Sequence, residues 1–341
     1  MDFVYDVLVV GAGIAGLACA QSLVQGGKSA LVLERSAVLG GRCASKPTAF
    51  QGSFFDFGPV FLHGDDEEFQ TWIKSLPLHR LDGWPQRVRG RGLPCQPAAF
   101  EPGQFRYAVR EGMSALADAL SCGLEISRQT RIDNLFFGPS TAELHAEDGR
   151  IFRGRNLVLA LASEQSLELV KTAGRSTAPA QALLGQFASL PSLTVLAGWN
   201  SDAPPIDWDV WYPEDSRVLL LLSNESAKRG DGSGLNLVLQ TRPAWSAARL
   251  QGDRTAWSQE ILAETARLLG PWALHPSSFL AHRWLYGRLN PGDHLAQPVL
   301  FTVPESEARL GLAGDLFDPS GGLQGAWKAG RRLAERLLAE A

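Results

Sequence analysis

The chain has 341 residues, of which 45% are hydrophobic and 20% charged, and its formal net charge is −4. That length suffices for two packed cores. The ordinary composition excludes a low-complexity or repeat protein, and the acidic balance argues against a general nucleic-acid binder. No apolar run approaches the roughly 20 residues that span a bilayer.

Residues 4–10 are an apolar, β-branched run of strand length, and residues 14–24 read as a helix with small residues on one side. Between them stands Gly11-Ala12-Gly13-Ile14-Ala15-Gly16. A second apolar run, residues 29–33, ends at Glu34. Strand, glycine turn, helix, strand and acid in this order form the dinucleotide-binding fingerprint. Gly11 permits the tight turn, Gly13 lets a pyrophosphate approach the backbone, and Gly16 lets helix and strand pack closely. The helix start offers unpaired N–H groups, at Ile14 and Ala15 among others, to the phosphates. Glu34 is placed to accept hydrogen bonds from a ribose. The apolar stretch 7–20 lacks the basic flank of a secretory leader, since Asp2 and Asp6 are acidic.

Directly after the acid, Arg35 leads into a second glycine turn, Gly40-Gly41-Arg42. A nicotinamide enzyme has no need of that turn, whereas the stretch resembles flavoproteins of the amine-oxidase-like group, in which such a turn and arginine wrap the pyrophosphate and flavin edge of FAD. The four cysteines, Cys19, Cys43, Cys95 and Cys122, show no metal-ligand spacing and read as free thiols of a reducing cytoplasm. Cys43, beside the flavin turn, is open to a redox role or to simple packing.

Residues 54–59 read as a short strand and a turn, with Gly58 at the turn, and in the flavoprotein group that the preceding stretch resembles the corresponding segment runs along the flavin. Residues 65–76 suit a short helix with acids at its start. Residues 77–110 carry Arg80, Arg87, Arg89, Arg91, Arg106 and Arg110, which suit either a solvated hairpin edge or the reception of an anionic substrate. A helix at 114–120 and strands at 124–126, 131–135, 142–145 and 151–160 return the chain to the nucleotide-binding unit, with Ile132 beside the cofactor.

Residues 163–190 look mainly helical. Strands resume at 193–198, and residues 217–222 and 235–241 form a hairpin around a polar, glycine-rich stretch, 223–234, expected to be a mobile loop. Residues 255–269 are an amphipathic helix closed by Gly270-Pro271. Residues 281–286 read as a strand that places His282 and Trp284 on one face and Arg283 on the other. A last strand, 310–313, ends at Gly314-Asp315, and a helix over 323–339 follows the pair Gly321-Gly322. With Gly322 and Leu323 at its start, that helix is suited to point N–H groups at the flavin, with Asp315 near the ribityl chain.

The motifs GAGIAGLACA, LGGRCASK, VREGMSALADAL, AHRWLYGR and GLAGDLFDPSGGLQGAWKAGRRLAERLL together resemble the bacterial renalase-like flavoproteins, a branch of the FAD-dependent amine-oxidase superfamily. The resemblance covers nearly the whole chain. It implies an α/β fold: a Rossmann-like FAD-binding domain of the glutathione-reductase/p-hydroxybenzoate-hydroxylase type, with a second α+β substrate domain on an antiparallel sheet. The expected division is 1–60, 111–165 and 290–341 for FAD, and 61–110 and 166–289 for substrate. It further implies non-covalent FAD and hydride transfer to flavin N5 from dihydronicotinamide isomers of NAD(P)H reduced at the 2- or 6-position. O2 is then the acceptor and hydrogen peroxide the product, with no membrane or nucleic-acid partner.

Where such proteins often carry Gly-Ala-Gln-Tyr-Phe beside the flavin, this chain has Gly58-Pro59-Val60-Phe61-Leu62, followed by His63. The loss of a glutamine and a tyrosine suits a more apolar substrate. Two other functions therefore stay open: oxidation of an amine or other small reduced compound, and a flavin-binding sensor or scaffold with little turnover. His282 is the foremost substrate-side candidate, able to hydrogen-bond a carboxamide, with Trp284 as a cavity wall.

Overall fold

The computed structural model describes residues 3–48, 54–93, 96–200, 203–230 and 234–340. β1 (Val4–Val10) passes from an exposed start into four buried residues, and α1 (Ile14–Gln25) follows the first glycine turn. β2 (Ala30–Leu33) is buried throughout and lies parallel to β1, with Val7 opposite Ala30. β3 (Ser45–Pro47) and β4 (Phe54–Asp56) form a small antiparallel ribbon that pairs Lys46 with Phe55.

β5 (Leu62–Gly64) precedes α2 (Glu67–Ser75), whose first turn is capped by the Asp66 carboxylate accepting from the Phe69 N–H. After β6 (Arg80–Asp82) and β7 (Val88–Arg89), β8 (Phe105–Val109) pairs with both β5 and β6. α3 (Ser114–Ser121), β9 (Glu125–Ser127), β10 (Ile132–Phe137), β11 (Ala142–Ala146) and β12 (Ile151–Leu159) return the chain to the first sheet.

α4 (Ser163–Thr172) and α5 (Ala178–Leu184) lead to β13 (Ser189–Trp199), β14 (Val210–Trp211), β15 (Leu219–Asn224), α6 (Glu225–Arg229) and β16 (Leu235–Thr241). Then come α7 (Pro243–Arg249), α8 (Arg254–Leu269), β17 (Ser278–Leu289), β18 (Val299–Thr302), β19 (Arg309–Leu312) and α9 (Gly322–Ala339). The segment 243–249 carries no sequence expectation of helix; Pro243 at its start pre-sets the first turn. No helix among the described residues is long and apolar enough to cross a membrane.

Two large sheets result. In the first, β12 lies parallel to β1 on one side; on its other side β11 pairs with its first half and β19 with its second. The chain's last strand thus joins a sheet begun by its first. α1 and α9 pack so closely that a Cβ on Gly330 would stand 2.2 Å from the Ala15 carbonyl oxygen. The second sheet has the order β17-β13-β16-β15-β14-β7. One face, with Leu193, Val195 and Leu239, buries Trp257 and Ile261 of α8. The opposite face, with Leu196, Val210 and Val238, packs on Phe55, Phe57, Val60, Phe61 and Trp84.

The stretch 223–234, of which 231–233 lie outside the described residues, departs from its expected form over its first half. Residues 224–229 fold into the capped helix α6, with Asn224 accepting from the Ala227 N–H, and Glu225, Lys228 and Arg229 are buried. Burial of these charges is tolerated because a fourth, Asp56 of β4, arrives from far along the chain. Lys228 Nζ lies 3.0 Å from Asp56 Oδ2 and 2.8 Å from Glu225 Oε1. Arg229 contacts the same two carboxylates at 3.0 and 2.8 Å. Asp56 Oδ1 accepts from the Ser45 hydroxyl and the Met113 N–H. Burial opposes the Asp56 charge, but Lys228, Arg229 and these donors hold its carboxyl below the usual carboxylate range. Lys228→Met leaves two buried carboxylates to one guanidinium, so folding stability should fall by about 3–5 kcal/mol. Denaturant unfolding measures this, and an unshifted midpoint would contradict the assignment.

Candidate functional site

The glycines of the first turn divide by what surrounds them. A Cβ on Gly11 (φ +104°) would stand 2.6 Å from the Ala160 carbonyl oxygen, and one on Gly16 would stand 2.0 Å from the Gly11 oxygen. Both positions are closed by backbone packing. Gly13 is different: its φ of −76° suits any residue, and a Cβ there meets nothing within 4 Å. Gly41 would meet only the Gly13 Cα, at 3.6 Å, and Gly322 again meets nothing. Gly13, Gly41 and Gly322 therefore border open space.

Two helix starts face that kind of opening. α1, beginning at Ile14 and Ala15, has neither a side-chain cap nor an acid in its first turn. The same holds for α9, which begins at Gly322 and Leu323. Each retains unpaired N–H donors and the positive end of its dipole. Gly40 donates its N–H to the Ala12 carbonyl at 2.9 Å, joining the second glycine turn to the first.

Glu34 is buried at the end of β2, its carboxylate accepting from the N–H groups of Ala12 (2.9 Å) and Ser36 (2.8 Å). These bonds fix it beside the first turn and leave each oxygen further acceptor capacity. Arg35 is exposed beyond it. Ile132 opens β10 two residues after Thr130, whose N–H donates to the Glu34 carbonyl.

Arg42 and Asp315 meet each other. The guanidinium donates twice to the carboxylate, at 2.7 and 2.8 Å, and Asp315 raises the arginine's pKa further. The pair bolts the second glycine turn to the segment before α9. Gly58 lies against this turn, since a Cβ there would overlap the Arg42 carbonyl oxygen.

On the substrate side, His282 and Trp284 share a face as expected, and both rings reach Phe57. The Phe57 and Trp284 rings stack at 5.0 Å and 19°, and the His282 ring meets them edge-on at 4.8 and 4.3 Å. The Trp284 indole N–H donates to the Phe57 carbonyl at 3.0 Å. Burial, then the charges of Lys46 and Arg254, push the His282 imidazole down to about 4. It is neutral at physiological pH. Arg283 turns away and donates to the Gly252 carbonyl.

Sequence patterning overlooked three contributors. Lys46 Nζ lies 5.0 Å from the Phe57 ring centre. Thr194 and Ser192 stand opposite His282 and Trp284 across β13 and β17, on the same face, and their buried hydroxyls have no hydrogen-bond partner. Single hydroxyls on a strand leave no periodic mark; only the register reveals them.

Val60 and Phe61 are buried, Phe61 against Trp84 and Phe100. His63 lies in β5 near Phe61, and burial lowers its pKa. Cys43 is buried and its thiol is pushed up to about 12, which keeps it protonated and favours packing over redox chemistry. Cys95 lies outside the described residues. Arg87 is tied to Asp209, Arg80 to Asp82 and the Lys74 carbonyl, Arg106 to the Ala99 carbonyl, and Arg89 covers Trp211. The Arg87 and Arg89 contacts hold the β7 margin of the second sheet, those of Arg80 and Arg106 lie on the three-stranded sheet of β5, β8 and β6, and all favour a structural duty for those arginines.

Residues 9–76 match the NAD(P)-binding Rossmann-like domain, and residues 92–338 match the flavin containing amine oxidoreductase. The chain belongs to the flavin-containing amine oxidoreductase family. Putrescine oxidase from Kocuria rosea is 40% identical over 125 residues, 34% of this chain and 25% of that enzyme. UDP-galactopyranose mutase from Mycoplasma pneumoniae is 36% identical over 85 residues, 25% of this chain and 21% of the mutase. These matches thus span a quarter or less of the relatives' own length.

Among solved structures, wild-type putrescine oxidase bound to putrescine aligns with a TM-score of 0.73 at 14% identity, covering 99% of this chain and 100% of that one. Cyclohexylamine oxidase from Brevibacterium oxydans IH-35A gives 0.71 at 14%, covering 99% of each. Likeness at this identity establishes a shared fold: a Rossmann-like cofactor domain with a second, sheet-based domain. As a member of this flavin-containing family the protein takes non-covalent FAD, and the open cradle of Gly13, Gly41 and Gly322 between two uncapped helix starts fits such a dinucleotide.

Two predictions follow from this geometry. Gly13→Val should fold yet purify without FAD, because its side chain enters only the open cradle; Gly16→Val should fail to fold. Flavin absorbance and circular dichroism separate the two, and stoichiometric FAD in Gly13→Val would refute the cradle. For His282, the folded state resists protonation between about pH 4 and about pH 6.5, where the unfolded chain accepts it. Its contribution therefore removes stability as pH falls through that window. His282→Gln should flatten the slope of unfolding free energy against pH there, and an unchanged slope would show the imidazole to be unperturbed.

Proposed function

We propose that the protein is a renalase-like flavoprotein oxidase. Its substrate would be an aberrant dihydronicotinamide nucleotide, reduced at the 2- or 6-position. The observation that carries this reading is the chemistry around Phe57: a neutral imidazole, two unengaged hydroxyls and a cation, with no carboxylate among them. The nearby acids Asp56 and Glu225 are both neutralised by Lys228 and Arg229. A cationic amine would find no counter-charge there, whereas a carboxamide would find donors and acceptors.

FAD, when bound, supplies the hydride acceptor, and O2 takes the electrons onward to give hydrogen peroxide. The chain's own part is binding and positioning. His282, neutral, has one ring nitrogen to donate and one to accept, and so orients a carboxamide rather than removing a proton. Phe57, Val60, Phe61 and Trp84 form an apolar body that excludes water. In this reading the cofactor belongs to residues 1–60, 111–165 and 290–341 and the substrate to 61–110 and 166–289, in a cytoplasmic protein with buried free thiols at Cys19 and Cys43.

A second reading, amine oxidation, is favoured by the likeness to putrescine oxidase and cyclohexylamine oxidase. Against it, Phe57 and Trp284 stack on each other and leave no slot between them for an amine. A flavin-binding sensor with little turnover is a third reading. Anaerobic mixing of the holoprotein with 6-dihydro-NAD, ordinary NADH and an amine panel distinguishes these. Rapid bleaching of the flavin by the isomer alone is expected, and slower bleaching in His282→Ala with FAD retained. Bleaching only by amines would replace this reading with the second; no bleaching by any of them would favour the third.

A further inference from the structure

The helix α9 is held on two sides. On one, Gly330 lets it approach α1. On the other it meets α2 through residues at helical spacing, Gln324, Trp327, Lys328 and Arg331. The Trp327 and Trp72 rings stack at 5.2 Å and 21°, Lys328 pairs with Asp66 at 2.7 Å, and Arg331 pairs with Glu68. Gln324 stands nearest the helix start and is buried.

The bonds of Gln324 run away from its own helix. Its side-chain oxygen accepts from the N–H groups of Asp65 at 3.0 Å and Asp66 at 3.1 Å, and its amide nitrogen donates to the Asp65 carboxylate at 2.8 Å. A glutamine at the third position of a helix ordinarily turns back to the N–H of the cap residue. Here that N–H, on Gly321, already donates to the Asp318 carbonyl at 3.0 Å. Gln324 is therefore free to reach the segment before α2, and α9 keeps no side-chain cap. Its first helical bond runs from the Gly325 N–H to the Gly321 carbonyl at 2.7 Å, which leaves the N–H groups of Gly322, Leu323 and Gln324 for an incoming acceptor.

The partner segment is shaped to this clasp. A Cβ on Gly64 would stand 1.9 Å from Gln324 Oε1, so the strand residue before Asp65 is a glycine that makes room for the amide. The other end of the same segment, Gly58, rests on the Arg42 carbonyl of the second glycine turn. Residues 58–66 thus join one border of the cofactor cradle, at Gly41 and Arg42, to the other, at the start of α9.

We infer that Gln324 is a positioning residue for the flavin: by clasping the N–H groups of Asp65 and Asp66 it fixes the rotation and axial position of α9, and so the aim of that helix start at the cradle. It touches no reacting atom. The partial positive charge of a helix start favours a reduced, negatively charged flavin over the oxidised form. Loss of the clasp should therefore weaken the binding of reduced FAD more than that of oxidised FAD, which by linkage lowers the reduction potential. The inference rests on FAD binding alone, whichever molecule supplies the hydride, so it stands or falls apart from the proposed substrate.

Anaerobic equilibration of the holoprotein with redox dyes gives the two-electron midpoint potential, and ultrafiltration gives FAD retention. Gln324→Ala, which keeps a strong helix former in place, should lower the ratio of reduced to oxidised affinity about tenfold, a midpoint lower by ~30 mV for a two-electron couple. Gly64→Ala should do the same from the other side, because its Cβ expels the Gln324 amide while the extended backbone of β5 accepts an alanine. The double variant should sit no lower than either single one, since both remove one interaction. Glu68→Gln, which cuts only the exposed far end of the α2–α9 contact, should leave the potential unchanged. Thermal unfolding is followed in parallel, because a glutamine serving packing alone would lower stability and leave the potential unmoved. Parent-like potentials in folded Gln324→Ala and Gly64→Ala would overturn the inference, as would additive shifts in the double variant or an equal shift in Glu68→Gln. If Gln324→Ala does not fold, Gly64→Ala, which keeps every side chain of the clasp, decides by itself.

Discussion

Four full charges sealed inside the protein set the position of nearly everything else. Asp56, Glu225, Lys228 and Arg229 are each withdrawn from water, which is tolerable only while every member has its partners. Asp56 belongs to the ribbon that follows the glycine turns, and the other three to the hairpin of the second sheet. Satisfying them pins that ribbon to that hairpin. The next two residues are then fixed as well: Trp284 donates to the Phe57 carbonyl and Gln240 to that of Gly58. Gly58 in turn rests on Arg42. The Phe57 face of the second sheet is thereby registered against the two glycine turns.

How much of this can be read from residue order depends on range. The first glycine turn is legible because its requirements are local: a buried strand, a turn glycine at positive φ, and a helix start follow one another. The C-terminal turn and helix are legible for the same reason. The Arg42–Asp315 pair is not, because each residue alone looks like a cofactor ligand, and only folding brings them together. The stretch 223–234 reads as solvated because its charges have no local counterpart; Asp56 supplies it from a distant strand. Thr194 and Ser192 gain meaning only from the register of β13 with β17.

The protein handles positive charge in two ways. Around the structural hub and along the margin of the second sheet, cations are saturated with acceptors and serve to join elements. Beside His282, Lys46 instead lies against the Phe57 ring, and burial above all holds the imidazole neutral. A neutral histidine is a hydrogen-bonding group with both a donor and an acceptor, which suits orientation of an amide and is unsuited to acid catalysis near neutrality.

The contact between α1 and α9 at Gly330 carries a consequence for biogenesis. One helix start bordering the cradle comes from the beginning of the chain and the other from residue 322 onward, and β19 joins the first sheet only after residue 309 has been made. A ribosome-bound chain that has completed the fingerprint and the whole second sheet still lacks the second of these helix starts. Both are present together only after residue 322 and the helix that follows it have been made. Until then the nascent protein must keep its glycine cradle open to water, with α1 lacking the helix that later covers it.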